Sequence, residues 1–102
     1  MKSLQDIRNQ ISNGLYELSE HAFIKAIERK IHFYEIEEAG KNLEIIEDYP
    51  DDKYSPSCLL LGFSQNGKPL HLVVSRADIN YVKIITVYEP DEDIFQNLTD
   101  RR

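Results

Sequence analysis

His21, Lys25 and Arg29 recur at every fourth residue, so on a helix they share one side. His71 alternates with Leu70 and Leu72, and on a strand its imidazole points away from the side those leucines bury. Metal-free cleavage of RNA needs a base for the ribose 2′-OH proton, an acid for the leaving oxygen and a fixed cation against the charge growing on phosphorus. His21 and His71 supply the first two near neutral pH, and Arg29 supplies the third through its planar fork of donors. Lys25 lies between them, while Tyr88, closing the last apolar run, and Tyr54, in the loop before the hairpin, are placed to orient or stack on a base.

Each of these residues also has a structural reading. His21 follows a helix cap and can bond a loop carbonyl. Arg29 can pair with Glu28, Glu47 or Asp48. His71 in the middle of a sheet can be a satisfied, half-buried side chain, and both tyrosines can simply pack.

The elements that must position these side chains follow from the pattern of apolar residues. Ser3 caps a helix through Leu4, Ile7 and Ile11 that Asn13-Gly14 ends, and Leu15 to Leu18 reads as a short extended link. Ser19 precedes a stronger helix in which Phe23, Ile24, Ile27 and Ile31 share one sector, expected to pack, while His21, Lys25, Glu28, Arg29 and His32 share a polar, partly cationic one. A short helix follows over Tyr34 to Ala39, with Gly40 as its stop. After Gly40 the period changes to that of strands over Leu43–Tyr49, Cys58–Ser64, Pro69–Ser75 and Tyr81–Tyr88. Asn66-Gly67 between the second and third of these is a hairpin signal. Short connections imply antiparallel pairing. The expected fold is α+β, with N-terminal helices packed on one face of a four-stranded antiparallel meander, and Asp91 capping a terminal turn through Phe95 and Leu98. Strict alternation along the last strand would put Lys83 on the side opposite Tyr88.

At 102 residues the chain is one domain, with a core large enough to fold without metal or disulfide staples. Its formal charge of −6 argues against a bulk polyphosphate binder. The segment His21–His32 nevertheless holds Lys25, Arg29, Lys30 and two histidines against Glu28 alone, so a small basic site survives on an acidic surface. Cys58 is the single cysteine, which excludes an intrachain disulfide and fits a reducing compartment. No run is long enough to span a membrane, and the opening residues lack a signal-peptide apolar stretch, so the expected location is the cytoplasm. No pair of histidines or cysteine has standard ligand spacing, so no metal is expected. No glycine-rich phosphate loop, Gly-x-Ser-x-Gly elbow or dinucleotide fingerprint occurs, so no cofactor is expected either.

Five blocks carry a family resemblance. They are Ser19-Glu20-His21-Ala22 with Glu28-Arg29-Lys30-Ile31; Ile45 through Tyr54; Pro56-Ser57-Cys58-Leu59 with Gly62-Phe63; Pro69 through Val73; and Ile85 through Asp91. Over about residues 18–91 the chain resembles a family of small bacterial proteins classed as a domain of unknown function, often encoded beside a YgiT/MqsA-type zinc-finger antitoxin. Departures from that pattern are Lys25-Ala26 for Arg-Met, Lys30 for Gly and Ser55 for Gly. The element order is similar to that of the RelE, ParE and BrnT toxins, several of which cut RNA without metal. The resemblance implies a toxin-like ribonuclease of a toxin–antitoxin pair, with RNA as substrate and a zinc-finger antitoxin as partner. A non-catalytic protein-binding module, using a sheet edge or the acidic loop Tyr49–Tyr54, and a decayed toxin are the alternatives.

Overall fold

A computed structural model describes residues 1–91; the expected turn through Phe95 and Leu98 lies outside the described residues. Helix α1 (Leu4–Ser12) is capped by Ser3, whose Oγ accepts from the Asp6 N–H at 3.1 Å, and the chain turns at Gly14 with φ +78°. Strand β1 (Tyr16–Leu18) leads into α2 (Glu20–Glu28), where Ser19 Oγ accepts from Ala22 N–H at 3.0 Å. Helix α3 (Phe33–Gly40) follows, then β2 (Glu44–Tyr49), β3 (Ser57–Phe63), β4 (Pro69–Ser75) and β5 (Val82–Tyr88).

The strands form a five-stranded sheet in the order β1-β5-β4-β3-β2. The expectation of four antiparallel strands is corrected at one edge: the link Leu15–Leu18 pairs with β5 in parallel, Tyr16 opposite Val82 and Leu18 opposite Ile84. The Val82 N–H donates to Leu15 O at 3.0 Å and the Ser19 N–H to Ile84 O at 2.9 Å. A three-residue segment carries little strand signal of its own, but β5 would otherwise leave a row of backbone groups unpaired. The other pairings are antiparallel, as expected.

One face of the sheet packs on the helices. Ile7, Ile11, Ala22, Ala26, Ile36 and Ala39 meet Leu60, Leu72, Ile84 and Val87 there, all buried. Two glycines permit this approach. A Cβ at Gly62 would stand 2.7 Å from Ala39 O, and one at Gly40 would stand 2.8 Å from Ile11 Cγ2. Gly40 is the last residue of α3, as expected, and stands at its crossing with α1.

Helix α2 overturns the expected burial. Its small residues Ala22 and Ala26 face the sheet, while Phe23, Ile24 and Ile27 are 47%, 45% and 63% exposed. Only Ile31 of the expected apolar sector is buried. Helix α2 is drawn close to β5 by bonds at both ends, which leaves room beneath it for methyl groups and none for larger side chains. Ser19 Oγ donates to Ile85 O at 2.8 Å, and Arg29 Nη1 donates to Val87 O at 2.9 Å. These carbonyls belong to the part of β5 beyond its pairing with β1, so α2 satisfies the edge that β1 leaves open.

Candidate active site on β4, β5 and the end of α2

His71 and Leu72 separate the two faces of β4. Leu72, in register with Leu60 and Val87, points into the helix-side core; His71, in register with Leu61 and Tyr88, points to the other face. His71 is 6% exposed, and its Nδ1 lies 3.2 Å from Tyr88 Oη, with the two rings edge-to-face at a centroid separation of 5.2 Å. Two residues that the sequence set seventeen apart thus form one unit, because β4 and β5 pair directly at this position.

Arg29 follows the last turn of α2, with a guanidinium that donates to Val87 O, next in the chain to Tyr88. Among the described residues no ion pair ties it to Glu28 or Asp48, and the bond to the neutral Val87 carbonyl uses one of its five N–H donors. Lys25 lies one turn earlier and pairs with Glu28 at 3.2 Å. His21 is exposed in the first turn of α2, on the same side of the helix as Lys25 and Arg29. These three residues come from the helix layer, whereas His71 and Tyr88 project from the opposite face of the sheet. Arg29 reaches the sheet plane at the free edge of β5, and His21 makes no contact with the His71–Tyr88 pair.

Tyr54 is elsewhere. It is 89% exposed on the loop between β2 and β3, beside the row Tyr49–Ser57–Ser75. That row is four residues along β4 from His71, roughly 13 Å. Its ring sits 5.6 Å from Lys53 Nζ.

The alternation argument fails for Lys83. The β4–β5 register shifts between Val73/Thr86 and Val74/Ile84, so Ile85 is an extra residue, and Lys83 shares the face of Tyr88. Glu17 on β1 is its neighbour in register. Glu44 occupies the Leu61–His71–Tyr88 row on β2, giving this face acidic as well as basic groups.

Among the described residues no three of His, Cys, Asp and Glu gather as a metal site, and no helix is long and apolar enough to cross a membrane. Cys58 is buried in the helix-side core, where desolvation pushes its thiol up to about 11. Tyr16 is likewise raised, by burial and by its hydroxyl bond to Glu37 Oε2 at 2.9 Å.

Among the described residues, fold and site together define a small α+β domain with three helices on one face of a mixed sheet and a His–Tyr pair on the other. Residues 18–89 match the family described as a domain of unknown function (DUF4258), and the chain belongs to that family. No curated protein and no solved structure matches it.

Proposed function

We propose that the domain is a toxin-like, metal-independent endoribonuclease acting at the His71–Tyr88 pair. The supporting observation is that Arg29 is bonded to the carbonyl of Val87, immediately before the tyrosine that touches His71. In this reading His71 takes the proton of a ribose 2′-OH as the 2′ oxygen attacks phosphorus. The P–O5′ bond breaks, and the 5′ oxygen leaves with a proton drawn from solvent, because His21 stands on the helix side of the sheet, away from the pair. Tyr88 fixes the imidazole through Nδ1, Arg29 faces the non-bridging oxygens, and Lys25 and Tyr54 contact flanking nucleotides. A small zinc-finger protein encoded alongside holds the activity in check in the cell, as the resemblance to antitoxin-linked proteins implies.

The test is cleavage of a labelled single-stranded RNA by the full chain in the presence of a chelator. Cleavage that falls at least about a hundredfold in His71→Ala and in Arg29→Ala, with circular dichroism unchanged, is expected. Folded wild-type protein that leaves RNA intact, or variants that cut as well as wild type, would overturn the proposal.

A further inference from the structure

The face of the sheet opposite the helices is apolar at its centre and closed to solvent there. Leu59, in register with Val73 and Glu47, is 0% exposed, and Leu61, in register with His71, is 6% exposed. Neither belongs to the helix-side core. Neighbours within a sheet shield the flanks of a side chain, but its tip is buried only by a second layer about 10 Å above. Among the described residues no helix or strand supplies that layer, since α1, α2 and α3 all pack on the other face. The β2–β3 loop meets this face at the Ser57–Ser75 row, where Ser57 Oγ donates to Asp52 Oδ2 at 2.6 Å and the hydroxyls of Ser55 and Ser75 lie 2.9 Å apart. Its Tyr54 points out to solvent and not onto the leucines.

The chain itself continues from the rim of this face. Tyr88 ends β5 in the row of Leu61 and His71, and Pro90 is buried, so the backbone turns inward after the strand instead of running out into solvent. In the sequence of residues 92–102, Ile94, Phe95 and Leu98 fall on one helical side, between Glu92-Asp93 and Arg101-Arg102. As a helix that segment is roughly 16 Å long, and β5 lies three strand spacings, roughly 14 Å, from β2. Its basic end then arrives at the β2 edge, where Glu47 stands on this same face.

We propose that residues 92–102 fold back across the open face as an amphipathic helix, with its apolar side on Leu59, Leu61 and Val73 and its two arginines beside Glu47. A segment so placed lies over the His71–Tyr88 pair and accounts for the low exposure of His71. Tethering selects it over a second copy of the chain: a segment joined at Asp91 is held at this face at an effective concentration of about millimolar, whereas two copies carrying −6 each repel. The consequence for catalysis rests on the ribonuclease reading: the cover lifts before RNA reaches His71, so the terminus restrains the activity of its own chain.

The first readout is NMR of the full chain with labelled methyl groups. Cross-peaks from the Phe95 ring to the methyls of Leu59, Leu61 or Val73 are expected, and their absence would overturn the proposal. Cross-peaks found only between differently labelled chains would overturn it in favour of a second copy. The second readout is carbethoxylation of His71 by diethyl pyrocarbonate, followed by peptide mass spectrometry. The reaction should run about tenfold faster in Phe95→Asp and in Leu98→Asp, with circular dichroism unchanged and with His21, on the helix side, labelled at the wild-type rate. Equal rates at His71 in the folded proteins would sink the cover. RNA cleavage should rise at least about threefold in the same variants. The expected contacts and labelling with RNA left intact by every form would remove the ribonuclease reading and leave the fold-back standing, whereas RNA cut at the same rate by all forms would overturn the restraint.

Discussion

The imidazole of His71 and the hydroxyl of Tyr88 meet at 3.2 Å because the two residues are direct partners in the β4–β5 register, one residue from where Leu72 and Val87 turn into the core. The contact places a titratable group and a phenol on the face that the helices leave alone. Tyr88→Phe removes the bond with little change of shape. It should lower unfolding free energy by about 1 kcal/mol, measured by urea denaturation, and move the His71 ring resonances in the NMR spectrum at fixed pH. Unchanged ring resonances would mean that the phenol does not touch the imidazole.

Lys30→Gly is expected to raise stability by up to about 1 kcal/mol, since glycine adopts the observed φ of +56° without a Cβ penalty but loses more backbone entropy on folding. For a domain of this size that is an increase of several degrees in Tm. A lower Tm would show that the lysine stem contributes packing that outweighs its backbone strain.

The strands and helix caps were legible because each rests on short-range chemistry. Ser3 and Ser19 accept the cap bonds expected of them, and Asn66-Gly67 turns the hairpin with Gly67 at φ +84°. What escaped depends on partners distant in sequence. Leu15–Leu18 becomes a strand only because β5 offers it an edge, and Lys83 changes face only because Ile85 is bulged out. On α2, hydrophobicity outweighed size: Phe23 and Ile27 formed the more apolar sector, yet Ala22 and Ala26 are what fit beneath a helix pinned by Ser19 and Arg29. The i, i+4 pair of alanines was the available signal. The His71–Tyr88 contact needed the register, which alternation cannot supply across a bulge.

Glu35 is a near-buried carboxylate with two duties. Its Oε1 accepts the His32 N–H at 2.9 Å, closing the first turn of α3, and lies 3.2 Å from Lys68 Nζ on the hairpin. Glu35→Ala leaves a backbone donor and an ammonium without their acceptor, at a cost of about 2–3 kcal/mol. Glu35→Gln keeps an acceptor oxygen and should cost roughly half as much. Chemical denaturation of the two variants distinguishes the cap from the charge: equal losses would assign the whole effect to the ion pair.

Three glycines separate shape from backbone conformation. Gly62→Ala places a methyl 2.7 Å from the carbonyl oxygen of Ala39, so α3 must move away from β3, at a cost of about 1–3 kcal/mol. Gly40→Ala meets Ile11 and the backbone of Ser12 just as closely. Gly14→Ala has open space around it but sits at φ +78°, so only about 1 kcal/mol is at stake. Denaturation midpoints in which Gly14→Ala is the worst of the three would contradict this packing of α3.

Cys58 links the core to alkaline pH. Its thiol sits against Leu60 and Val74 on the helix side, and burial holds its pKa up at about 11 against an ordinary value of 9.0. The neutral form is thus favoured in the folded chain. In the unfolded chain the thiol ionises as pH passes 9.0, while in the fold it stays protonated to about 11, so its contribution to stability is complete below 9.0 and is lost as pH rises through the folded value. Tyr16, also raised by burial, acts in the same direction at still higher pH. Urea midpoints measured from pH 8 upward should therefore fall as pH passes through this window, and the part due to the thiol should be absent in Cys58→Ala, which starts from a lower stability because of the cavity. Alkylation of native Cys58 at pH 8 should proceed only as fast as the chain opens. Rapid labelling of folded protein would mean that the thiol is not enclosed between the helices and the sheet.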